Sequence, residues 1–317
     1  MTANLRTWLR QYLPDLPDDF ALEPVQSGSS STVALIQTPN GRYFQKTCEV
    51  AFGFEPPLTA ALAQWFPAIM PDLVAWDAEN RWLLMRDAGE NLRNLSRANG
   101  ANWSQWKAVL RKMAALQIGA IEHVDELLAL GIIDRRLPQL PHLYQTLISD
   151  SVGMLVGQEN GISAADAERL PAFATELQRL CDAVTSYHVP QTLHHDDFHA
   201  GNIGVHGDEY RILDWGEACI AHPFCSLTMM LRYAKFLFEA DDAILAQLTA
   251  AYLEAWTIFE PMARLLELLP LTHRLLGVCR AGTWARALQN ADDAFRAENA
   301  DAVPYWVMTC VNNTPFE

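Results

Sequence analysis

Residues 193–218 read LHHDDFHAGNIGVHGDEYRILDWGEA, and this stretch is the most informative part of the chain. Ile203–Val205 and Tyr210–Leu213 are largely apolar runs on either side of the polar segment His206–Glu209, which contains a glycine and an aspartate. A centre of this composition forms a turn, so the stretch predicts a β-hairpin. The two open ends of a hairpin lie side by side, with opposed Cα atoms about 5 Å apart.

Two oxygen-bearing side chains stand at these open ends. Asn202 comes just before the first predicted strand, and Asp214 comes just after the second. Amide and carboxylate oxygens are hard ligands, of the kind that Mg²⁺ takes when it also binds the phosphates of a substrate. The hairpin therefore predicts that Asn202 and Asp214 share one metal site.

The spacing upstream of the hairpin is that of a kinase catalytic loop. His195 and Asp197 are followed by four residues and then by Asn202, and DWG at Asp214–Gly216 follows the hairpin. This order matches the HxDxxxxN and DxG motifs of kinase-type phosphotransferases. The stretch resembles the aminoglycoside phosphotransferase and choline kinase superfamily, whose usual form is HGDLHPGN followed by a strand and IDW.

The chain departs mildly from that form at three positions, with Asp196 for glycine, Phe198 for leucine and Ala200 for proline. Because of Asp196, two adjacent aspartates are candidates for the catalytic base. Four residues separate Asp197 from Asn202, as in the kinase loop, whereas five follow Asp196. The spacing therefore favours Asp197.

The resemblance implies a role for most polar residues of the stretch. Asp197 accepts or orients the proton of the acceptor hydroxyl, and Asn202 and Asp214 bind the Mg²⁺ that bridges the phosphates. His195 supports the loop, and His199 receives no role. Phosphoryl transfer asks mainly for positioning and charge stabilisation, which these groups can supply.

The front of the chain offers a nucleotide site. Short strands rich in β-branched and aromatic residues, two of them joined by the turn at Pro39–Gly41, predict an antiparallel meander. Gly28, Ser29 and Ser30 lie between the first two strands, where small residues let backbone N–H groups approach phosphates. Lys46, at the end of the third strand, is implied by the resemblance to pair with the α- and β-phosphates.

The resemblance also implies a carboxylate that holds this lysine and a hinge that receives the nucleotide base. Glu55 opens a predicted helix and is followed by leucines in the family's spacing, so it is favoured, and Glu49 is the alternative. The run at 82–89 looks like a strand that leads into the hinge. Met85 and Arg86 are the expected contacts of the adenine edge.

These elements indicate an α+β fold of the two-lobed protein-kinase-like type. We expect a small antiparallel β-rich N-lobe at residues 1–87, which binds the nucleotide, and a larger, mainly helical C-lobe at 88–317, which carries catalysis and the acceptor site. Helical periodicity predicts a short helix at 3–13 and long helices at 103–123, 166–187, 226–239, 241–258 and 271–290.

Composition narrows the function classes. Half of the residues are hydrophobic, which is typical of a globular protein, and the net charge of −15 lacks the basic surface of a nucleic-acid binder. No apolar run approaches the ~20 residues of a membrane span, and the first residues do not resemble a signal peptide. We therefore expect a cytoplasmic protein without nucleic-acid or membrane partners.

The expected activity is Mg²⁺-dependent transfer of the γ-phosphoryl group of ATP or GTP to a hydroxyl of a small polar molecule. An aminoglycoside-like sugar, an amino alcohol or another metabolite would fit. Asp292 and Asp293 could meet a cationic sugar, although such acids commonly form a solvated helix face. Tryptophans of the back lobe could cage a quaternary ammonium, although they are more often core residues.

The sequence leaves the acceptor, the nucleotide and two alternative functions to be distinguished. The acceptor, the choice between ATP and GTP and the role of Glu217, which follows DWG, are not determined. A catalytically idle nucleotide-binding module with the same fold is one alternative. A metal-dependent phosphohydrolase is another, with ligands drawn from His194, His195, Asp196, Asp197 and His199.

Overall fold

The computed structural model describes residues 3–17, 19–28, 30–289 and 291–316. The strands are β1 (Glu23–Ser27), β2 (Ser31–Thr38), β3 (Gly41–Cys48), β4 (Leu73–Asp77), β5 (Trp82–Arg86), β6 (Glu90–Asn91), β7 (Ile133–Asp134), β8 (Thr192–His194), β9 (Ile203–His206), β10 (Glu209–Ile212) and β11 (Cys219–Ala221). The helices are α1 (Ala3–Tyr12), α2 (Glu55–Trp65), α3 (Leu92–Asn99), α4 (Trp103–Gly119), α5 (Val124–Ala129), α6 (Leu140–Ser149), α7 (Ala164–Thr185), α8 (Phe224–Phe238), α9 (Asp242–Leu253), α10 (Met262–Gln289), α11 (Asp293–Glu298) and α12 (Ala302–Asn312).

The chain divides into two compact units. The first unit combines Met1–Asn94 with Gly201–Gly216, and the second combines Leu95–Ala200 with Glu217–Glu317. The β9–β10 hairpin thus belongs to the first unit, although it lies in the second half of the sequence. The sequence predicts two lobes that are each continuous in the chain, with a boundary between residues 87 and 88. That boundary stays a prediction.

The first unit is built on an antiparallel sheet with the strand order β1-β2-β3-β5-β4. Apolar residues on one face of the sheet, such as Ile36 and Leu84, pack against Leu5 and Leu9 of α1. Burial of these faces removes apolar surface from water and holds the helix on the sheet. The predicted meander and the predicted first helix are confirmed.

The predicted hairpin is also confirmed. Ile203 of β9 lies opposite Ile212 of β10, and the other edge of β9 pairs with β6. Gly89 precedes β6 with a φ of +87°, and a Cβ there would lie 2.1 Å from the carbonyl oxygen of Val205. Only glycine permits this close approach, which lets the backbone before β6 pack against β9 of the hairpin.

The second unit is mainly helical. The small sheet β7-β11-β8 lies within it, and β8 ends at His194, directly before the candidate catalytic residues. Phe224 packs edge-on against Tyr252 and Trp256, with ring centroids 5.8 and 5.6 Å apart. Trp106 and Trp256 are fully buried. These two tryptophans are therefore core residues, as helical spacing more often indicates.

Three predicted helices have clearly different limits in the structure. The helix predicted at 241–258 ends at Leu253 and continues as a 3-10 turn to Ile258. The helix predicted at 271–290 begins at Met262 and includes Pro270. A helix can contain a proline at the cost of one backbone hydrogen bond. The helix predicted at 103–123 ends at Gly119 and continues as a 3-10 turn. Within the described ranges, no helix is both long and apolar enough to cross a membrane.

Candidate active site

Lys46 of β3 makes two short ion pairs inside the first unit. Its Nζ lies 2.6 Å from Glu55 Oε1 and 2.6 Å from Asp214 Oδ1. Burial alone would lower the pKa of Lys46, but the carboxylates of Asp214 and Glu55 outweigh it and raise the pKa above its ordinary value. The ammonium is therefore charged at neutral pH, and its helix partner is Glu55 rather than Glu49.

Glu55 is held by further contacts. Its Oε1 also accepts a hydrogen bond from the backbone N–H of Trp215 at 3.1 Å, and its Oε2 accepts a hydrogen bond from the Cys48 thiol at 3.2 Å. Burial and the charge of Glu55 raise the pKa of Cys48, so the thiol keeps its proton and donates it. Sequence reasoning misses Cys48, although residues i and i+2 of a strand, here Lys46 and Cys48, share a face. A Cβ on Gly216 would lie 2.9 Å from Oε2, so the glycine of DWG makes room for the glutamate.

Asn202 and Asp214 lie at the open end of the hairpin, as the sequence predicts. The N–H of Leu213 donates to the carbonyl oxygen of Asn202 at 2.8 Å, so Asn202 stands opposite the residue before Asp214. Asp214 has a φ of +63°, a conformation that few non-glycine residues adopt and that often marks functional positions. One carboxylate and one amide suit Mg²⁺, which usually takes few protein ligands together with phosphates and water.

The predicted phosphate loop is a tight turn. The N–H of Gly28 donates to the carbonyl oxygen of Ser31 at 3.0 Å, and the carbonyl oxygen of Ser30 accepts the N–H of Glu49 at 2.8 Å. These bonds tie the turn to the end of β3, close in sequence to Lys46. Ser29 lies outside the described residues. The phosphate contacts of this loop stay a prediction.

Met85 and Arg86 form the end of β5, where the hinge is predicted. Met85 pairs with residues of both β3 and β4, and the N–H of Arg86 donates to the carbonyl oxygen of Asp72 at 2.9 Å. The Arg86 guanidinium lies 5.2 Å from the centre of the Tyr43 ring. Because the Arg86 N–H is engaged, a nucleotide base would have to use other groups of this segment. The adenine contact stays a prediction.

Asp197 and Asp196, both in the second unit, differ in accessibility. The Asp197 side chain is 28% exposed, whereas that of Asp196 is fully buried. One Asp197 oxygen lies 3.2 Å from His199 Nε2, and the other lies 3.7 Å from Arg280 Nη2. Burial would raise the pKa of Asp197, but His199 and Arg280 hold it well below its usual range. An ionised, accessible carboxylate suits a base, which agrees with the spacing argument.

His199, to which the sequence gives no role, contacts both Asp197 and Tyr233. Its ring stacks on Tyr233 at a centroid distance of 4.5 Å. Burial alone would lower the pKa of His199, but the charge of Asp197 raises it. The histidine therefore provides a positive partner for the candidate base.

Asp196, where the superfamily form has glycine, is the centre of a buried polar network. Its Oδ1 accepts from His194 Nε2 at 2.8 Å, and its Oδ2 accepts from the hydroxyl of Thr283 at 2.5 Å. Arg135 Nη1 lies 3.4 Å from the same Oδ2 and also donates to the Thr283 hydroxyl. Burial would raise the pKa of Asp196, but Arg280 and His194 lower it well below its usual range. The departure that looks mild in the sequence therefore organises the loop.

Arg280 of α10 connects the two aspartates. Its Nη1 donates to the backbone oxygen of Asp196 at 3.1 Å and to Glu217 Oε2 at 2.5 Å, while Nη2 faces Asp197. The residue is 5% exposed. Sequence reasoning misses Arg280, because it stands 84 residues after Asp196 in an ordinary helical pattern. Glu217, whose role the sequence leaves open, is its carboxylate partner.

The neighbouring histidines anchor the loop. His194 Nδ1 lies 2.7 Å from Ser226 Oγ, and its Nε2 contacts Asp196, so both ring nitrogens are engaged. The backbone N–H of His195 donates to the same Ser226 oxygen at 3.1 Å. In the part of the chain that the structure describes, no three His, Cys, Asp or Glu side chains are grouped to hold a metal. The contacts of His194 do not favour its use as a ligand in a phosphohydrolase.

Solved structures share this fold. The chain is similar to choline kinase from Cryptosporidium parvum, with a TM-score of 0.64 and 11% identity over 99% of this chain and 96% of that one. It is similar to the macrolide 2'-phosphotransferase MphH from Brachybacterium faecium, with a TM-score of 0.58 and 16% identity over 95% and 98%. For the GDP and kanamycin complex of APH(2")-IIia the values are 0.61 and 14% over 99% of both chains. The chain therefore has the α+β, protein-kinase-like fold.

The family follows from the sequence match. The model of the phosphotransferase enzyme family matches residues 21–265, well over half of the chain. The chain belongs to this family, and the resemblance carried by the catalytic stretch is confirmed. No curated protein matches the chain in sequence.

Proposed function

We propose that the chain transfers the γ-phosphoryl group of ATP or GTP to a hydroxyl group of a small molecule. The observation that carries the proposal is the buried Lys46, whose Nζ lies 2.6 Å from both Glu55 and Asp214. A lysine that is held between a helix glutamate and the metal-binding aspartate is the element that kinases use for the phosphates. Membership of the phosphotransferase family supports the reaction class.

The first unit carries the groups for the donor. Lys46 would contact the α- and β-phosphates, and the backbone of Gly28 and Ser30 would lie over them. Asn202 and Asp214 would hold Mg²⁺, which when bound neutralises charge on the phosphate oxygens. A nucleoside diphosphate in one of the similar structures, the GDP complex, is in keeping with such a donor.

Asp197 is the proposed base. It takes or orients the proton of the acceptor hydroxyl while the hydroxyl oxygen forms a bond to the γ-phosphorus. The bond from the γ-phosphorus to the β–γ bridging oxygen breaks, and ADP or GDP leaves. His199 and Arg280 keep Asp197 ionised, and His195 holds the loop through its backbone.

Asp197→Asn tests this assignment. We expect kcat to fall by about 10²–10⁴-fold, because the general base is lost, while Mg²⁺ and nucleotide together still raise Tm. The assay follows phosphoryl transfer with ATP and GTP to kanamycin, choline, ethanolamine and neutral alcohols. Asp208→Asn is the control, because Asp208 is an exposed aspartate in the hairpin turn.

Three results would contradict the proposal. Full transfer by Asp197→Asn would remove Asp197 as the base. Release of inorganic phosphate without transfer to any hydroxyl, together with tightly bound zinc, manganese or iron, would favour a hydrolase. Nucleotide binding with no turnover of any acceptor would favour an idle binding module.

A further inference from the structure

Basic side chains of the second unit hold the carboxylate of the proposed base on both of its oxygens. His199 Nε2 lies 3.2 Å from Asp197 Oδ2, and Arg280 Nη2 lies 3.7 Å from Asp197 Oδ1. Because each contact fixes one oxygen, the two together set the direction of the carboxylate. A catalytic group that is misplaced by about 1 Å can lose about 10²-fold in rate. The placement of the two basic side chains therefore matters for transfer.

The guanidinium of Arg280 is fixed by several contacts. Its Nη1 donates to Glu217 Oε2 at 2.5 Å and to the backbone oxygen of Asp196 at 3.1 Å. The group is planar and presents its donors in a rigid fork, so these bonds define its plane. Arg280 thus has a second set of contacts that holds it against the base.

The imidazole of His199 needs a corresponding restraint. A contact at Nε2 fixes one atom, whereas the torsion that turns the ring about its bond to Cβ is broad. Tyr233 of α8 supplies the restraint, because the two rings are stacked with centroids 4.5 Å apart and planes inclined by 19°. The stack fixes the plane of the imidazole, and the charge of Asp197 selects the edge that faces the carboxylate.

Tyr233 is supported by aromatic side chains that reach into the core of the second unit. The ring of Phe238, at the end of α8, lies 6.2 Å from that of Tyr233 and 5.3 Å from that of Trp106. Trp106 of α4 is fully buried, and its indole N–H donates to Ser96 Oγ at 3.2 Å. Aromatic pairs at such centroid distances attract each other beyond the effect of burial. A row of three rings therefore links the core to His199.

The charge of His199 depends on the same geometry. Burial alone would lower its pKa, the carboxylate of Asp197 raises it, and the positive charge of Arg280 opposes that rise. Tyr233, on the ring face, is a neutral partner at neutral pH. The elevated pKa of His199 therefore requires that Nε2 stay beside Asp197, and this pKa can report whether the ring is in place.

We propose that Tyr233 is a positioning residue for transfer: its ring holds His199 so that Nε2 keeps the Asp197 carboxylate in the direction of the acceptor hydroxyl. The inference rests on the proposed function, in which Asp197 is the base. Tyr233 acts through His199 and not on the reacting atoms. Because the ring and not the phenol hydroxyl makes the stack, phenylalanine can replace Tyr233 and an aliphatic residue cannot.

A double-mutant cycle with Tyr233→Leu and His199→Gln tests the proposal. Transfer is measured to the best acceptor among kanamycin, choline, ethanolamine and neutral alcohols. We expect Tyr233→Leu to lower kcat about three- to tenfold, the range that loss of one aromatic pair implies, with the KM of the nucleotide unchanged. A residue that acts through His199 has no further effect once that side chain is replaced, so Tyr233→Leu should not change the kcat of His199→Gln.

Two further variants separate ring stacking from a general effect on α8. Tyr233→Phe keeps the ring, and we expect its kcat to stay within about twofold of the unsubstituted chain, since the aromatic pair is retained. Phe236→Leu is the matched control, because Phe236 is an aromatic residue of the same helix and is 52% exposed; its kcat should not change. An equal loss of kcat on Tyr233→Leu with and without His199→Gln would overturn the positioning role but keep the kinase function.

Proton NMR of the imidazole provides a readout that needs no turnover. The Hε1 signal of His199 is identified by its loss in His199→Gln. In Tyr233→Leu we expect this signal to move downfield, because the ring current of Tyr233 is gone, and the pKa of His199 to fall toward about 6.5. Phe236→Leu should change neither. An unchanged signal and pKa in Tyr233→Leu would overturn the positioning role even if no acceptor were phosphorylated.

Discussion

Asp196 and Asp197 are adjacent in the chain, but their carboxylates have different surroundings. Asp196 is enclosed by His194, Thr283 and Arg135, whereas Asp197 is partly open to solvent. A buried carboxylate is tolerated only with charged or hydrogen-bonding partners, and the arginines provide them. The backbone position of Asp197 thus depends on its buried neighbour.

Arg280→Met should change the pH dependence of transfer. Removal of a positive charge raises the pKa of Asp197, so the carboxylate is protonated at higher pH and the acid limb of the kcat profile moves upward, by about one unit or more. His199 and His195 remain as positive or polar neighbours, so the shift is partial. Arg280→Lys should restore much of the profile.

Arg274→Met is the control for that experiment. Arg274 lies on the same helix and is partly buried, but it binds Glu176 and the carbonyl oxygen of Cys310. We expect its acid limb to stay in place. A reduced kcat in Arg280→Met with an unmoved acid limb would show that Arg280 has only a structural role.

Among the helices and strands, α10 connects the catalytic loop with the helical core of the second unit. This 28-residue helix carries Arg280 and Thr283 toward the Asp196 network. Its other side packs on α12, where a Cβ at Gly277 would lie 2.6 Å from the backbone oxygen of Trp306. The close helix contact therefore fixes how α10 presents its polar residues.

Gly277→Ala should destabilise the second unit. The added methyl group would meet backbone atoms of α12, which cannot move aside as a flexible side chain could. We expect a loss of about 1–3 kcal/mol in the free energy of unfolding, typical of overpacking, measured by urea denaturation. Leu266→Ala, at a half-exposed position of the same helix, should cost much less. Equal stability of Gly277→Ala and the unsubstituted chain would show that the two helices can separate without cost.

In the protein as a whole, the proposed nucleotide-binding residues and the proposed base belong to different units. The first unit holds Lys46, Asn202 and Asp214, and the second holds Asp197 and Arg280. The second unit also encloses two histidines, His222 and His273, whose pKa values burial lowers to about 3. These groups link the stability of the second unit to pH.

We expect the second unit to lose stability as the pH falls from about 6.5 to 4. In the unfolded chain a histidine binds a proton near pH 6.5, whereas His222 and His273 stay neutral in the folded protein. Protonation therefore favours unfolding. Each of the two histidines lowers the free energy of unfolding by up to about 1.4 kcal/mol for each pH unit of acidification. His273→Asn should reduce this slope in urea unfolding at pH 7, 6 and 5. His206→Asn, at the exposed hairpin turn, should leave it unchanged. An identical slope in all three proteins would show that His273 does not contribute to the pH dependence of stability.

Features that depend on neighbouring residues follow from the sequence alone. The hairpin that brings Asn202 beside Asp214, the strand that carries Lys46 and the spacing that selects Asp197 all follow from local periodicity and turn composition. These preferences act over a few residues and need no knowledge of the rest of the chain. The fold class followed from their order along the sequence.

The packing of helices and strands sets which distant groups meet. The fold pairs Lys46 with Glu55 and adds Cys48, and it places Arg280 between Asp196 and Asp197. Such contacts depend on how helices and strands pack, and a one-residue change of register would turn each side chain to another face. The catalytic stretch predicts the fold, but its own long-range partners depend on how distant elements pack.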